Sequence, residues 1–231
     1  MCENRDVAEE KKIIGTLMTG QPSTQASIMA LMTIFVVVAS TLFYWNGPLK
    51  WANLLYISRA DFFQSGQIWR AFTAIFVHAD IEHLLSNMLL LWIFSFFIFG
   101  YFGFKVFPVL SLFMAALVNV LTVWTYEPGV HLIGASGLVY FLGGLWLTLY
   151  AQIQRQYSLG QRLLRVMGIA LMIFLPSTFV PSTSYRAHAI GFLIGVFVGI
   201  LYFYKNKEKI RLREVYRENQ IEDENNHENI I

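Results

Sequence analysis

The chain has 231 residues, of which 56% are hydrophobic and only 14% carry a charge. Its mean hydropathy is +0.51, which excludes an ordinary soluble domain and predicts an integral membrane protein. The formal net charge is only +2, and the single cysteine, Cys2, excludes an internal disulfide.

Six apolar stretches approach the length of about 20 residues that a helix needs to cross the hydrocarbon core. In chain order they are 28–45, 83–103, 106–126, 135–151, 164–181 and 187–204. The first stretch could instead be a signal peptide, because VVVAS offers a small-residue cleavage site. However, 27 residues precede it and the apolar run continues to Trp45. The sequence therefore predicts an all-α polytopic membrane protein with six transmembrane helices.

The charged residues between the spans predict the orientation of the protein. An even number of spans places both termini on one side of the membrane, and Lys and Arg are enriched in cytoplasmic loops. Most basic residues fall on the side of the termini: Lys11, Lys12, Lys105, Arg155, Arg162, Arg165, Lys205, Lys207, Lys209, Arg211 and Arg213. Both termini are therefore predicted to be cytoplasmic.

The polar segments divide the chain into three parts, and the second part contains a long outer loop. Residues 1–27 form a short N-terminal segment, 28–204 the six-helix membrane domain, and 205–231 a polar cytoplasmic tail of mixed charge, which we expect to be solvated. The outer loop, residues 46–82, mixes aromatic and charged residues without reaching spanning length. We expect it to be structured and to lie at the membrane interface.

Polar residues mark the outer ends of three spans. Span two opens with His83 and Asn87, span four with Ser136, and span six with His188. Polar residues inside a membrane domain are costly and usually functional. His83 and Asn87 are four residues apart, so they share one face of a helix, and Asp80 is well placed to cap that helix.

Two spans carry faces of small residues that allow close helix packing. On span six this face comprises His188, Gly191, Gly195 and Gly199. On span four a comparable face comprises Ser136, Tyr140, Gly143 and Leu147. If the two faces pack together, the serine and the histidine meet at the outer ends of their helices.

The inventory of charged residues limits the chemistry of this site. From His83 to Tyr204 there is one acidic residue, Glu127, and one lysine, Lys105. An aspartyl protease and a serine–lysine pair are therefore excluded, and a Ser-His-Asp triad lacks a well-placed acid, with Glu127 left open. What remains is a dyad in which His188 removes the proton of a serine hydroxyl.

Simpler interpretations apply to several of these residues. Glycine and serine often occur together in membrane helices purely for packing. The segment GASG, 134–137, which contains Ser136, therefore favours a packing site when it is considered by itself. His131 fits an ordinary interfacial histidine. His78 and His83 are five apart and point away from each other on a helix, and no HExxH occurs, so we expect no metal and no cofactor. Nothing in the tail indicates nucleic-acid binding.

Four motifs together resemble the rhomboid family of intramembrane serine proteases. GASG matches the GxSG serine motif of the family, and AHAIGFLIG, 187–195, matches its AHxxGxxxG span. HADIEHLLSN, 78–87, matches HxxxxHxxxN, and IWRAFTAIF, 68–76, matches the WR stretch of the first outer loop. The resemblance covers roughly residues 46 to 204.

The resemblance implies a role for each matched residue. Ser136 would be the nucleophile and His188 the general base. The side chains of His83 and Asn87 and the backbone amide of Ser136 would bind the oxyanion.

The resemblance also implies supporting residues. Tyr140 would pack beneath the His188 ring, and His78 would help to hold the loop. Further supporting residues are the glycines of the serine motif and the arginine of the WR stretch: Gly134, Gly137 and Arg70.

The function implied by the resemblance is hydrolysis of single-span membrane proteins near a transmembrane segment, in a water-filled cavity within the lipid bilayer. The alternative is a catalytically inactive rhomboid-like protein that binds membrane helices. The short N-terminus and six spans resemble the compact bacterial type, which implies the bacterial inner membrane and a site facing the periplasm or the exterior.

Overall fold

The computed structural model describes residues 12–177 and 184–217. Eight α-helices occur in this part of the chain: α1 (Ala26–Asn46), α2 (Leu49–Ala52), α3 (Arg70–Thr73), α4 (Ile81–Phe102), α5 (Ser111–Trp124), α6 (Ser136–Ile153), α7 (Leu159–Ser177) and α8 (Tyr185–Arg211). Four short strands accompany them: β1 (Lys12–Gly15), β2 (Ile57–Ser58), β3 (His131–Leu132) and β4 (Val215–Arg217). Turns of 3-10 helix (Leu17–Thr19, Ala74–Phe76) and of π-helix (Ala60–Gln64, Lys105–Leu110) complete the described elements.

Five helical segments are long and apolar enough to cross a membrane: Ala26–Asn46, Ile81–Phe102, Lys105–Trp124, Ser136–Ile153 and Tyr185–Arg211. They coincide with five of the six predicted spans, so the predicted all-α polytopic membrane fold is confirmed. The remaining predicted span, 164–181, corresponds to α7, whose first turns carry Arg162 and Arg165. Residues 178–181 of that span lie outside the described residues, and the sixth crossing stays a prediction.

Helix α6 forms the centre of the bundle. Every residue from Ser136 to Leu145 is buried, whereas the other spanning segments expose large apolar side chains such as Phe35, Leu89 and Leu193. Outward apolar side chains are what a lipid environment favours, because lipid tails are as apolar as these side chains. Helix α6 is therefore enclosed by the rest of the bundle.

Helices α6 and α8 pack backbone against backbone. An added Cβ at Gly191 would lie 2.6 Å from the carbonyl oxygen of Gly137, and one at Gly195 would overlap the carbonyl of Phe141. Both helices advance by four residues between these two contacts, so they run parallel. Small residues permit this approach, and the resulting van der Waals contact holds helices together in a bilayer.

Strands β1 and β4 pair at the end of the bundle opposite Ser136. Their antiparallel register joins Lys12 to Arg217, and Glu214 forms an ion pair with Arg155 at 3.0 Å. Within the predicted polar tail, residues 205–211 continue α8 and Val215–Arg217 form β4, so this part is folded through long-range contacts that composition does not reveal, while most of its residues are exposed as expected. The predictions for 1–11 and 218–231 lie outside the described residues.

The outer loop contains α2, β2 and α3 but no helix of spanning length. The buried Arg70 guanidinium organises it by donating to the carbonyls of Asn53 and Tyr56 and to the side chain of Gln67. Strand β2 pairs antiparallel with β3. This pairing fixes the loop against the segment that precedes Ser136.

The backbone contact between α6 and α8 predicts different effects for two glycine substitutions. Gly195→Ala should lower the free energy of unfolding by about 1 to 3 kcal/mol, because the new methyl group is forced against α6. Gly168→Ala in α7, where an added Cβ has nothing within 4 Å, should raise it by up to about 1 kcal/mol. Thermal unfolding of both variants in detergent measures the difference. Equal effects would contradict the close contact.

Candidate active site

The GASG segment forms a sharp turn immediately before α6. Gly134 has a φ of 117°, a conformation that side chains disfavour. An added Cβ there would lie 2.7 Å from Cε1 of His83. At Gly137 an added Cβ would lie 3.0 Å from Val118 Cγ1. The two glycines therefore let the chain turn sharply against His83 and enter α6 close to its neighbours, with Ser136 at the first position of the helix.

The parallel packing of α6 and α8 brings Ser136 and His188 to the same end of the bundle. His188 lies one turn before Gly191, which contacts the carbonyl of Gly137. One turn after Ser136, the Tyr140 ring stacks on the His188 ring with 3.8 Å between centroids and 14° between planes. Ser136 and His188 are only 7% and 8% exposed.

In the part of the chain that the structure describes, the Ser136 hydroxyl is not engaged by another group. Within residues 12–177 and 184–217 it has no hydrogen-bond partner, and the same holds for the His188 ring, whose stacking partner is Tyr140. Catalytic hydrogen bonds are often long before substrate binds. Among the described residues, Ser136 and His188 thus lie at the same end of two helices in contact, and no hydrogen bond joins them.

His83 and Asn87 lie on one face of α4 near the serine. Asp80 caps this helix by accepting the His83 N–H at 2.7 Å, which confirms the cap predicted from the sequence. The Asn87 amide nitrogen donates one hydrogen to the His83 carbonyl at 2.9 Å. Because an amide nitrogen carries two hydrogens, one remains available.

A cavity of about 370 Å³ opens beside the serine. Ser136 and His83 line it together with polar and aromatic side chains from four other segments: Tyr44, Tyr56, Tyr126, His131 and Ser184. No carboxylate is among the described residues that line it. A cavity of this size with several polar walls can hold water, which a hydrolytic reaction requires.

His78 is fully buried and ties the serine turn to α1. Its Nε2 accepts the Ala135 N–H at 3.2 Å, so the ring proton resides on Nδ1 and points to the Thr41 hydroxyl, also at 3.2 Å. That hydroxyl donates in turn to the Phe76 carbonyl. Burial is the main cause that lowers the pKa of His78 to about 3; His83, whose ring centroid lies 5.1 Å away, acts in the same direction and Asp80 opposes it.

Arg70 acts on the cavity through Tyr56 and not by contact with the serine. Its guanidinium lies 5.2 Å from the Tyr56 ring centroid, and Tyr56 stacks on His131 at 4.0 Å. Sequence reasoning placed His131 at the interface and did not single out Tyr56, Tyr126 or Ser184. Their partners are distant in sequence, so no spacing pattern could have revealed them.

The buried neutral state of His78 predicts a pH-dependent stability. The unfolded chain binds a proton near the ordinary pKa of about 6.5, whereas the folded chain does not until about pH 3. The contribution of the neutral His78 ring to the free energy of unfolding is therefore fully present above pH 6.5 and is lost as the pH falls toward 3. Between pH 7.5 and pH 5 this residue should account for about 2 kcal/mol.

Thermal unfolding of wild type and His78→Gln at both pH values measures this contribution. The variant should be less stable at pH 7.5 and should lose less stability on acidification. His131→Gln, at an exposed histidine, serves as the control and should keep the wild-type pH dependence. A variant at position 78 with the full wild-type slope would contradict the buried neutral ring.

Comparison with known proteins agrees with this arrangement. A family model of the rhomboid domain matches residues 65–205. The chain is also similar to rhomboid-like protease 3 of Toxoplasma gondii, with 32% identity over 163 residues, which cover 67% of this chain and 58% of that protein. The chain thus spans less than two thirds of the length of this relative. The residues that the family model matches include the serine turn, α4, α6 and most of α8, and the chain belongs to the rhomboid family.

Proposed function

We propose that this protein is an intramembrane serine endopeptidase that hydrolyses peptide bonds in or near the transmembrane segments of membrane proteins. One observation supports the proposal: α6 and α8 run parallel in close contact at Gly137 and Gly191, and the Tyr140 ring, one turn after Ser136, stacks on the His188 ring. Ser136 and His83 open onto one cavity. Membership of the rhomboid family supports the same activity.

The reaction divides between a base and a nucleophile. Neutral His188 accepts the Ser136 proton as Oγ attacks the carbonyl carbon of the substrate. The tetrahedral intermediate then collapses, the C–N bond breaks, and the imidazolium gives its proton to the leaving nitrogen. Water, activated by the same histidine, hydrolyses the acyl-enzyme and restores the serine.

The oxyanion needs hydrogen-bond donors on one side of the reacting carbonyl. The Ser136 N–H belongs to the unpaired first turn of α6, and Asn87 retains one free amide hydrogen. The His83 ring, which lines the cavity, supplies the third donor. One such donor is typically worth about 3 kcal/mol of the activation barrier.

The proposed reaction needs only the serine and the histidine, without an acidic residue as a third member. Glu127, the one acidic residue between His83 and Tyr204, is exposed, and no described contact joins it to His188. The ring is instead supported from below by Tyr140. The dyad therefore relies on stacking rather than on a carboxylate to hold its base.

The proposed substrates are single-span membrane proteins whose helix unwinds near the outer interface. The reacting hydroxyl lines a cavity together with three tyrosines and two histidines. A substrate segment must be extended there so that one of its carbonyl groups is free to react. An intact helix would keep its carbonyls in internal hydrogen bonds. Unwinding at the interface, where water is present, removes that obstacle.

The proposed topology has six spans, with α7 as the fifth, and cytoplasmic termini. The basic residues near the β1–β4 pair, including Lys205, Lys207 and Lys209, favour the cytoplasm for that end. Ser136, at the opposite end, then faces the periplasm or the exterior. A bacterial inner membrane stays a prediction, since the matched relative comes from Toxoplasma gondii.

Labelling with a fluorophosphonate probe tests the dyad. Detergent-solubilised wild type should be labelled, and Ser136→Ala and His188→Ala should both lose labelling, because the first lacks the nucleophile and the second lacks its base. Asn87→Ala should label about 100-fold more slowly, since one oxyanion donor is missing. Gel fluorescence over time measures the rates.

Matched variants exclude trivial causes of lost labelling. Ser158→Ala removes a serine from the loop between α6 and α7, and Asn206→Ala removes an amide that bonds to the carbonyl four residues earlier, as Asn87 does. Both should label like wild type. A folded wild type that resists labelling would refute the protease and favour the inactive, helix-binding alternative.

The single cysteine tests the topology. In intact cells a membrane-impermeant maleimide should not label Cys2 until the membrane is permeabilised, because the N-terminus is cytoplasmic. Ser65→Cys in a Cys2→Ser background, at an exposed position of the outer loop, should be labelled without permeabilisation. Labelling of Cys2 in intact cells would reverse the proposed orientation.

A further inference from the structure

The first turn of α8 is attached to the end of α5 by side chains that the proposed reaction does not use. The Tyr126 and Ser184 hydroxyl oxygens are 2.5 Å apart. The Arg186 guanidinium donates to the carbonyl and to the hydroxyl of Thr125 and lies 5.4 Å from the Tyr126 ring centroid. We call these four residues the α5–α8 latch.

The latch acts directly on the turn that carries His188. Ser184 is the N-cap of α8: its hydroxyl oxygen accepts the Ala187 N–H at 3.2 Å, and its carbonyl accepts the His188 N–H at 3.1 Å. The hydroxyl that contacts Tyr126 is therefore the same group that starts the helix. A hydroxyl has one hydrogen and two lone pairs, so both contacts can form together.

The histidine ring depends on this turn for its position. Among the residues that the structure describes, the His188 ring has a stacking partner, Tyr140, but no hydrogen bond. Stacking fixes the plane of the ring, yet it permits the ring to slide along the face of the tyrosine. The remaining constraint comes from the first turn of α8, through its backbone and through the Tyr185 ring, which meets the His188 ring edge-on at 6.5 Å between centroids.

We infer that the α5–α8 latch positions His188 against Ser136, and that Tyr126 and Ser184 are positioning residues for the reaction. The inference rests on the proposed function. Helix α6 holds the serine independently, so loosening the latch should move the base and leave the nucleophile in place. Displacement of a catalytic group by about 1 Å can lower a rate about 100-fold, and the loss of one hydrogen bond produces a smaller displacement.

Two substitutions in the full chain test the inference. Tyr126→Phe removes the hydroxyl but keeps the ring, and Ser184→Ala removes the cap as well. Tyr101→Phe is the matched control, since it removes a phenol hydrogen bond of 3.1 Å to the Gly20 carbonyl at the opposite end of the bundle. Hydrogen–deuterium exchange by mass spectrometry in detergent and cleavage kinetics on a reconstituted single-span substrate give two independent readouts.

The expected result is local and specific. Both variants should exchange about tenfold faster at the amides of residues 187 and 188, and kcat should fall about tenfold with KM within about twofold of wild type. The double variant should match Ser184→Ala, because the two substitutions remove one shared interaction. Tyr101→Phe should leave both readouts unchanged.

Other results would overturn the inference. Unchanged exchange would show that the latch does not hold the turn, and faster exchange with normal kcat would leave it a purely structural contact. A raised KM with normal kcat would make Tyr126 and Ser184 substrate contacts instead. If wild type itself were inactive, like Ser136→Ala, the proposed function would fail together with the role in catalysis, while exchange would still decide whether the latch holds α8.

Discussion

The contact between the backbones of α6 and α8 is the constraint on which the site depends. In a bilayer, packing and hydrogen bonds must hold helices together, because lipid offers no hydrophobic driving force. Glycines at 191 and 195 allow α8 to approach the carbonyls of α6 closely. The same approach sets the level of His188 relative to Ser136 and brings Tyr140 under the ring. A displacement of either helix would therefore alter the stacking and the chemistry at once.

Several buried polar groups near the serine turn are satisfied by the backbone and by neutral partners. His78 accepts from Ala135 and contacts Thr41, whose hydroxyl donates to Phe76, while Asn119 donates to the Ala71 carbonyl. Buried charges are expensive in an apolar medium, whereas neutral hydrogen bonds are not. The shortage of acidic residues that the sequence revealed between His83 and Tyr204 is thus also a feature of how the interior is stabilised.

Helical periodicity predicted much of the bundle but not every contact: on α6, Gly144 and not the predicted Gly143 lies against α8. Small residues every three or four positions predicted the face of α8, and hydropathy predicted five spans that the structure contains. In contrast, Tyr126 and Ser184 are 58 residues apart, and neither belongs to a spaced motif. Arg162 and Arg165 lower the hydropathy at the start of α7, the one predicted span that is not among those five. The order of residues 205–217 arises from contacts with β1 and Arg155, which are distant in sequence.

The two halves of the proposed dyad are held by different parts of the molecule. Ser136 follows a turn that is fixed on two sides, by Gly134 donating to Ala74 and by Ala135 donating to His78. His188 lies in the first turn of α8, and the ends of helices fray unless they are capped. The nucleophile is thus part of the buried core, whereas the base is held from the rim of the cavity. The geometry of the pair is therefore most sensitive to changes on the α5–α8 side, where a peptide segment in the cavity would also make contact.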